Sequence, residues 1–67
     1  MDVKEVAYQT AMSMSLFAEG GRDLNSIDNR SIWYYMNKTL TQCLNELGIN
    51  KNEFEDIPTL IKYLINH

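Results

Sequence analysis

Apolar residues recur at helical spacing over the first part of the chain, between Asp2 and the pair Gly20-Gly21. Their three- and four-residue intervals place them on one continuous face of a helix. This stripe consists of Val3, Val6, Ala7, Ala11, Met14, Phe17 and Ala18. Asp2 is a good N-cap with Glu5 three residues later, as in a capping box, and the two glycines form a natural C-terminal stop. The pattern predicts a first helix over residues 3–19.

A second apolar line, Tyr8, Met12 and Leu16, runs along the same helix roughly opposite the first. A surface helix needs only one apolar stripe, the one that faces the core. The extra line therefore has two interpretations, which do not exclude each other. Another helix of the same chain covers it, or it docks against another protein, which would include a second copy of this chain.

The same spacing predicts a long second helix over residues 27–47, beginning at Ile27 or Asp28 and followed by Gly48 as the C′ residue. Three polar residues compete for its N-cap: Asn25, Ser26 and Asp28. The expected buried face consists of Ile32, Trp33, Met36, Leu40, Cys43, Leu44 and Leu47. Tyr34 and Tyr35 lie outside it, and because adjacent residues cannot share a helix face, at least one tyrosine points away from the core.

The last third predicts a short helical turn in "NKNEFED" and a closing helix in "IPTLIKYLINH". Asp56 is a candidate N-cap, and Pro58 is tolerated in a first helical turn. The expected apolar face is Ile57, Leu60, Ile61, Leu64 and Ile65, joined by Phe54. We therefore predict one all-α domain over residues 1–67, a small bundle of three to four helices. Two long helices would form an antiparallel hairpin, and one or two short C-terminal helices would close it.

Size and charge narrow the range of functions. A core built from 67 residues supplies only about 3–5 kcal/mol, so such domains are often stabilised further. The single cysteine excludes a disulfide within the chain, which leaves oligomerisation or a bound partner. The net charge of −3, the pI of about 4.8 and six scattered basic residues argue against direct nucleic-acid binding.

The sequence also bears on location. No apolar run approaches the ~18 residues of a membrane span, so we expect no membrane association. The start "MDVKEV" lacks the basic and apolar regions of a signal peptide. With one unpaired cysteine, these features favour a cytoplasmic protein.

No arrangement of residues predicts catalysis or a cofactor. The acidic residues Glu53, Glu55 and Asp56 lack the spacing of a calcium-binding loop and are typical of a solvated first helical turn. Cys43 lies within an apolar stripe and is expected to be a small buried residue, and His67 is expected to be a frayed terminal residue. We predict no metal, no cofactor and no enzymatic activity.

The segment "GGRDLNSID", residues 20–28, resembles the region around the modified serine of acyl and peptidyl carrier proteins. In that family a glycine-containing loop precedes a serine and an aliphatic residue at the start of the second helix. The resemblance implies that Ser26 would carry phosphopantetheine. This segment differs from the family in having Asn25 where aspartate is usual, a shorter preceding loop and a longer following helix.

The composition and the surplus of apolar positions favour a small acidic protein-binding module, which we expect to be a homodimer. It would act as a regulator or inhibitor by binding a protein partner, with apolar anchors for affinity and carboxylates to speed and orient encounter. The candidate partner-binding residues are Tyr8, Met12, Leu16, Tyr34, Tyr35, Glu53, Glu55 and Asp56. The alternative is a carrier-like protein modified at Ser26.

Overall fold

The computed structural model describes residues 2–67, which form three α-helices and one short 3-10 helix. Helix α1 spans Val3–Glu19, α2 spans Ile27–Glu46 and α3 spans Ile57–Asn66. The 3-10 helix, Lys51–Glu53, lies in the connection between α2 and α3. The predicted all-α bundle is confirmed.

Helix α1 begins and ends where the sequence predicts. The carboxylate of Asp2 accepts hydrogen bonds from the backbone N–H groups of Lys4 at 3.0 Å and Glu5 at 3.4 Å. These bonds satisfy two donors that a helix start leaves unpaired. At the other end Gly21 has a φ of 67°, in the left-handed region that glycine adopts without steric cost.

Helix α2 is defined by a serine cap and a Schellman motif. Ser26 is the N-cap among the three candidates, and its hydroxyl accepts a hydrogen bond of 3.5 Å from the N–H of Asn29. At the C-terminus Gly48 has a φ of 73°, and the N–H of Ile49 donates to the carbonyl of Leu44 at 2.9 Å. This motif reverses the chain and brings Ile49 against the core.

The core lies where α1 meets the two other helices. Its buried hydrophobic residues are Ala7, Ala11, Met14, Leu40, Cys43, Leu44, Leu60 and Leu64. Helix α1 packs against both α2 and α3, whereas α2 and α3 contact each other little. The fully buried Ala7 and Ala11 place only a methyl group at the centre, so both neighbours can approach α1 closely.

Four residues that the sequence assigns to buried stripes are exposed, and one of them is Ala18, near the end of α1. Ile32 is 48% exposed, Leu47 is 36% exposed and Ile65 is 62% exposed. Ile32 lies at the margin of the α2 stripe, and α2 has only α1 as a substantial neighbour. Leu47 is the C-cap of α2. Ile65 follows Leu64 by about 100° around α3 and so turns away from the buried side of that helix.

Candidate functional site

Tyr34 and Tyr35 are both exposed, by 69% and 72% respectively. The two rings line a shallow cleft on α2 together with Ile27, Arg30 and Ser31. Ile27, itself 71% exposed, precedes Tyr34 by seven residues, so the two side chains lie along one line of the helix. The first half of α2 therefore presents aromatic and aliphatic surface to solvent.

Tyr35 also borders a second cleft, which lies between α2 and α1. The α1 side of this cleft is formed by Gln9, Thr10 and Ser13. Leu16 lies three residues beyond Ser13 on the same line of α1 and is 62% exposed. Ile32 precedes Tyr35 by one turn of α2. The exposed apolar residues of this region are here called the tyrosine face, which consists of Leu16, Ile27, Ile32, Tyr34 and Tyr35.

The predicted line of Tyr8, Met12 and Leu16 is divided between two environments. Tyr8 is half-buried, packs against the core and borders a cleft with Leu64 and Ile65 of α3. Met12 is also half-buried. Of the three, only Leu16 joins the tyrosine face, because the closing helix lies beside the other end of the line.

A distinct cleft opens between α2 and α3 and is here called the Trp33 cleft. It has a volume of about 250 Å³, and its lining is Met14, Trp33, Asn37, Lys51, Phe54, Glu55, Asp56, Ile57 and Leu60. Met14 and Leu60 are each only 1% exposed, so the cleft reaches the hydrophobic core. Trp33, Phe54 and Ile57 are half-buried around it.

The polar groups of the Trp33 cleft are distributed between its walls. On the α2 side the ammonium group of Lys51 donates a hydrogen bond to Oδ1 of Asn37. On the α3 side Oδ1 of Asp56 accepts a hydrogen bond of 2.8 Å from the N–H of Thr59. Hydrogen bonds from the side chain and the backbone N–H of Thr59 lower the pKa of the Asp56 carboxyl below its ordinary value of 3.8.

Of the three acidic residues singled out in the sequence, the structure brings Glu55 and Asp56 to the Trp33 cleft. Glu53 is exposed on the preceding 3-10 helix. The tyrosines and these carboxylates line different clefts. The predicted partner-binding residues therefore separate into an apolar surface and an acidic cleft.

Aromatic contacts support the residues around the Trp33 cleft. The rings of Phe17 and Trp33 lie 6.0 Å apart at an angle of 37°. On the other side the Phe54 ring meets Tyr63 edge-on at 5.2 Å, and the Tyr63 ring stacks on His67 at 4.3 Å. His67, expected to be a frayed terminal residue, thus extends an aromatic cluster.

The sequence does not reveal the Trp33 cleft. Trp33 and Phe54 both read as core residues, and both do pack against the core. The opening beside them exists because α3 packs against α1 and leaves a gap toward α2, a tertiary feature with no local signature. The one feature of the sequence that could have indicated the cleft is the irregular connection over residues 48–56, which is too long for a simple turn.

The remaining candidate residues have structural environments. Cys43 is buried within the core, as predicted. Ser26 is half-buried at the start of α2, with its hydroxyl used in the helix cap. Within residues 2–67 no group of three or more His, Cys, Asp or Glu side chains is placed to hold a metal ion.

No helix in this part of the chain combines the length and apolar character needed to cross a bilayer. Comparison of the chain with protein-family models, with curated proteins and with solved structures finds no match.

Proposed function

We propose that this chain is a small acidic protein-binding module that forms a homodimer and acts as a regulator or inhibitor of a protein partner. The observation that carries the proposal is the exposure of both adjacent tyrosines, Tyr34 and Tyr35, which line one shallow cleft with the exposed Ile27. Tyrosine is enriched at protein interfaces because its ring buries apolar area while its hydroxyl stays hydrogen-bonded. Exposed apolar surface is typical of interaction sites when it forms a large patch, which supports the proposal.

A second copy of the chain is a fitting occupant of the tyrosine face. Each large aromatic buries about 150–250 Å² when enclosed, so the two tyrosines at their present exposure offer on the order of 300 Å². A standard interface takes about 800 Å² from each partner. The rest of this interface area would come from Leu16, Ile27 and Ile32 and from the polar residues of the adjoining clefts. Dimerisation would also add stability to a domain whose small core supplies little of its own.

We propose that α1 and α2 form an antiparallel hairpin, with the tyrosine face at the end where the two helices are joined. Two contacts favour this arrangement. Phe17, near the end of α1, packs against Trp33, near the start of α2. At the other end Lys4, near the start of α1, borders a cleft with Leu47, which follows α2.

Regulation would be steric and electrostatic. The chain carries a net charge of −3, and its carboxylates would accelerate encounter with a basic partner surface in the cytoplasm. Once bound, the module would cover that basic surface of the partner and prevent other molecules from binding there. No chemical step is required of the module itself.

Light scattering coupled to size-exclusion chromatography tests the dimer. We expect the wild-type chain to elute with twice the mass of one chain at micromolar concentrations and to dissociate on dilution. The double variant Tyr34→Ser/Tyr35→Ser removes both aromatic rings from the tyrosine face and is expected to be monomeric.

Two controls accompany the serine variant. Tyr34→Phe/Tyr35→Phe keeps both rings and is expected to remain dimeric, whereas Gln42→Ser changes an exposed residue of α2 outside the tyrosine face and is expected to have no effect. Circular dichroism would show whether each variant keeps its helix content. A wild-type chain that stays monomeric at concentrations up to the millimolar range contradicts the homodimer.

A further inference from the structure

We propose that the Trp33 cleft receives one apolar side chain of the protein partner, on a segment that places a lysine or arginine beside that side chain. This inference rests on the proposed function only in taking the partner to be a protein. It assigns partner recognition to a surface separate from the tyrosine face, because the two surfaces line different clefts of the molecule.

The opening is a consequence of how the bundle is built. Helix α3 packs against α1 and contacts α2 little, so the space between α2 and α3 is bordered instead by the 3-10 connection. Lys51 of that connection reaches α2 through Asn37, and Phe54 packs against the core. The result is a cleft whose floor is the fully buried Met14 and Leu60 and whose walls carry polar groups.

The size of the cleft selects its occupant. Its volume of about 250 Å³ is below the ~300–1,000 Å³ of pockets for drug-sized ligands. An apolar cavity of about 150 Å³ is known to hold one benzene molecule. The Trp33 cleft therefore accommodates a single aromatic or branched aliphatic side chain, and the half-buried rings of Trp33 and Phe54 offer it contact surfaces.

The charged residues at the mouth of the Trp33 cleft favour a cation next to the apolar side chain that enters it. Glu55 and Asp56 lie on the α3 side, and Glu53 precedes them by a short distance in the chain. The Asp56 carboxylate accepts hydrogen bonds from the side chain and the backbone N–H of Thr59, and its remaining lone pairs can accept from an ammonium or guanidinium group. Lys51, the cation of the lining, is engaged with Asn37 on the opposite wall. The acidic wall therefore complements a basic residue that follows the anchor.

Blocked dipeptides test this chemistry in the intact protein. The probes are acetyl-Phe-Lys-amide, acetyl-Phe-Gln-amide, acetyl-Phe-Glu-amide and acetyl-Ala-Lys-amide, each titrated into the ¹⁵N-labelled chain. Trp33 is the only tryptophan, so its indole N–H resonance reports occupation of the cleft. We expect the Phe-Lys probe to shift this resonance and to bind about two- to fivefold more tightly than the Phe-Gln probe, the range of an exposed ion pair. The Phe-Glu probe should bind more weakly still, and the Ala-Lys probe should leave the indole unshifted.

The double variant Glu55→Gln/Asp56→Asn tests the acidic wall. Asparagine caps helices as well as aspartate does, so α3 is expected to keep its start. The variant should bind the Phe-Lys and Phe-Gln probes equally, whereas Glu46→Gln, at an exposed residue outside the cleft, should keep the preference for Phe-Lys.

Several results would overturn the inference. These are an indole resonance that none of the Phe probes shifts, a Phe-Glu probe that binds as tightly as Phe-Lys, or a preference for Phe-Lys that survives in Glu55→Gln/Asp56→Asn. Failure of the homodimer would be seen separately, since Tyr34→Ser/Tyr35→Ser leaves the cleft intact and should bind the Phe-Lys probe as the wild type does.

Discussion

Leu60 and Ile65 on α3 offer a direct test of how the closing helix packs. The sequence places both residues on one apolar face, but the structure gives them opposite environments. Leu60 is 1% exposed at the contact with the core, whereas Ile65 is 62% exposed. Substitution of each by alanine removes aliphatic groups from the same helix at nearly the same helix-forming propensity. The two variants should differ only through packing.

The expected magnitudes follow from burial. Replacing a fully buried leucine by alanine typically costs about 2–5 kcal/mol, because transfer free energy is lost and a cavity remains. A domain of this size has a total stability of only about 3–10 kcal/mol. Leu60→Ala should therefore lower the melting temperature by more than about 10 °C, and it leaves the chain unfolded if the stability lies at the lower end. Ile65→Ala should change the free energy of unfolding by less than about 0.5 kcal/mol.

Thermal and urea unfolding followed by far-UV circular dichroism measures both effects. The fluorescence of Trp33 provides a second probe of the same transition, because its ring packs at the junction of α1 and α2. Leu60→Met, which nearly conserves volume, is a matched control that should cost less than about 1.5 kcal/mol. Equal destabilisation by Leu60→Ala and Ile65→Ala, at a protein concentration where the chain is monomeric, would refute the packing described for α3.

Three further predictions concern the helix ends. Gly48→Ala should cost about 1–2 kcal/mol of unfolding free energy, because its φ of 73° disfavours a side chain although nothing lies within 4 Å of the added Cβ. Gly20→Ala, at a φ of −71°, should cost much less in the same urea titration. The lowered pKa of Asp56 means that its carboxylate stabilises the fold above the ordinary pKa of 3.8 and loses this contribution as the pH falls through the folded-state value. The wild type should therefore lose stability below about pH 4 more steeply than Asp56→Asn, as measured by unfolding at a series of pH values. Finally, incubation with a phosphopantetheinyl transferase should leave the mass of the chain unchanged, and added mass at Ser26 would instead favour the carrier-protein alternative.

Helix ends were the most predictable part of this structure. Asp2, Ser26 and Asp56 are short polar residues that accept backbone N–H groups, and Gly48 takes a conformation that other residues avoid. These are local interactions between residues a few positions apart, so sequence spacing is sufficient to locate them.

The environments of the apolar residues were less predictable. A helical stripe gives the side of a helix that is buried, but not which neighbour covers each part of it. Ile32 and Ile65 became exposed because α2 and α3 both pack against α1 and contact each other little. The same arrangement leaves Tyr8 half-buried and Leu16 exposed, and it opens the Trp33 cleft. Tertiary packing of this kind depends on all three helices at once.

Isotope-filtered nuclear Overhauser spectroscopy is the most direct test of whether the tyrosine face joins two copies of the chain, as we propose. An equal mixture of ¹³C-labelled and unlabelled chains reports only contacts between copies. We expect such contacts from the rings of Tyr34 and Tyr35 to the methyl groups of Leu16, Ile27 or Ile32. Contacts between copies that involve Ile65 and Tyr63 but neither Tyr34 nor Tyr35 would contradict the proposal.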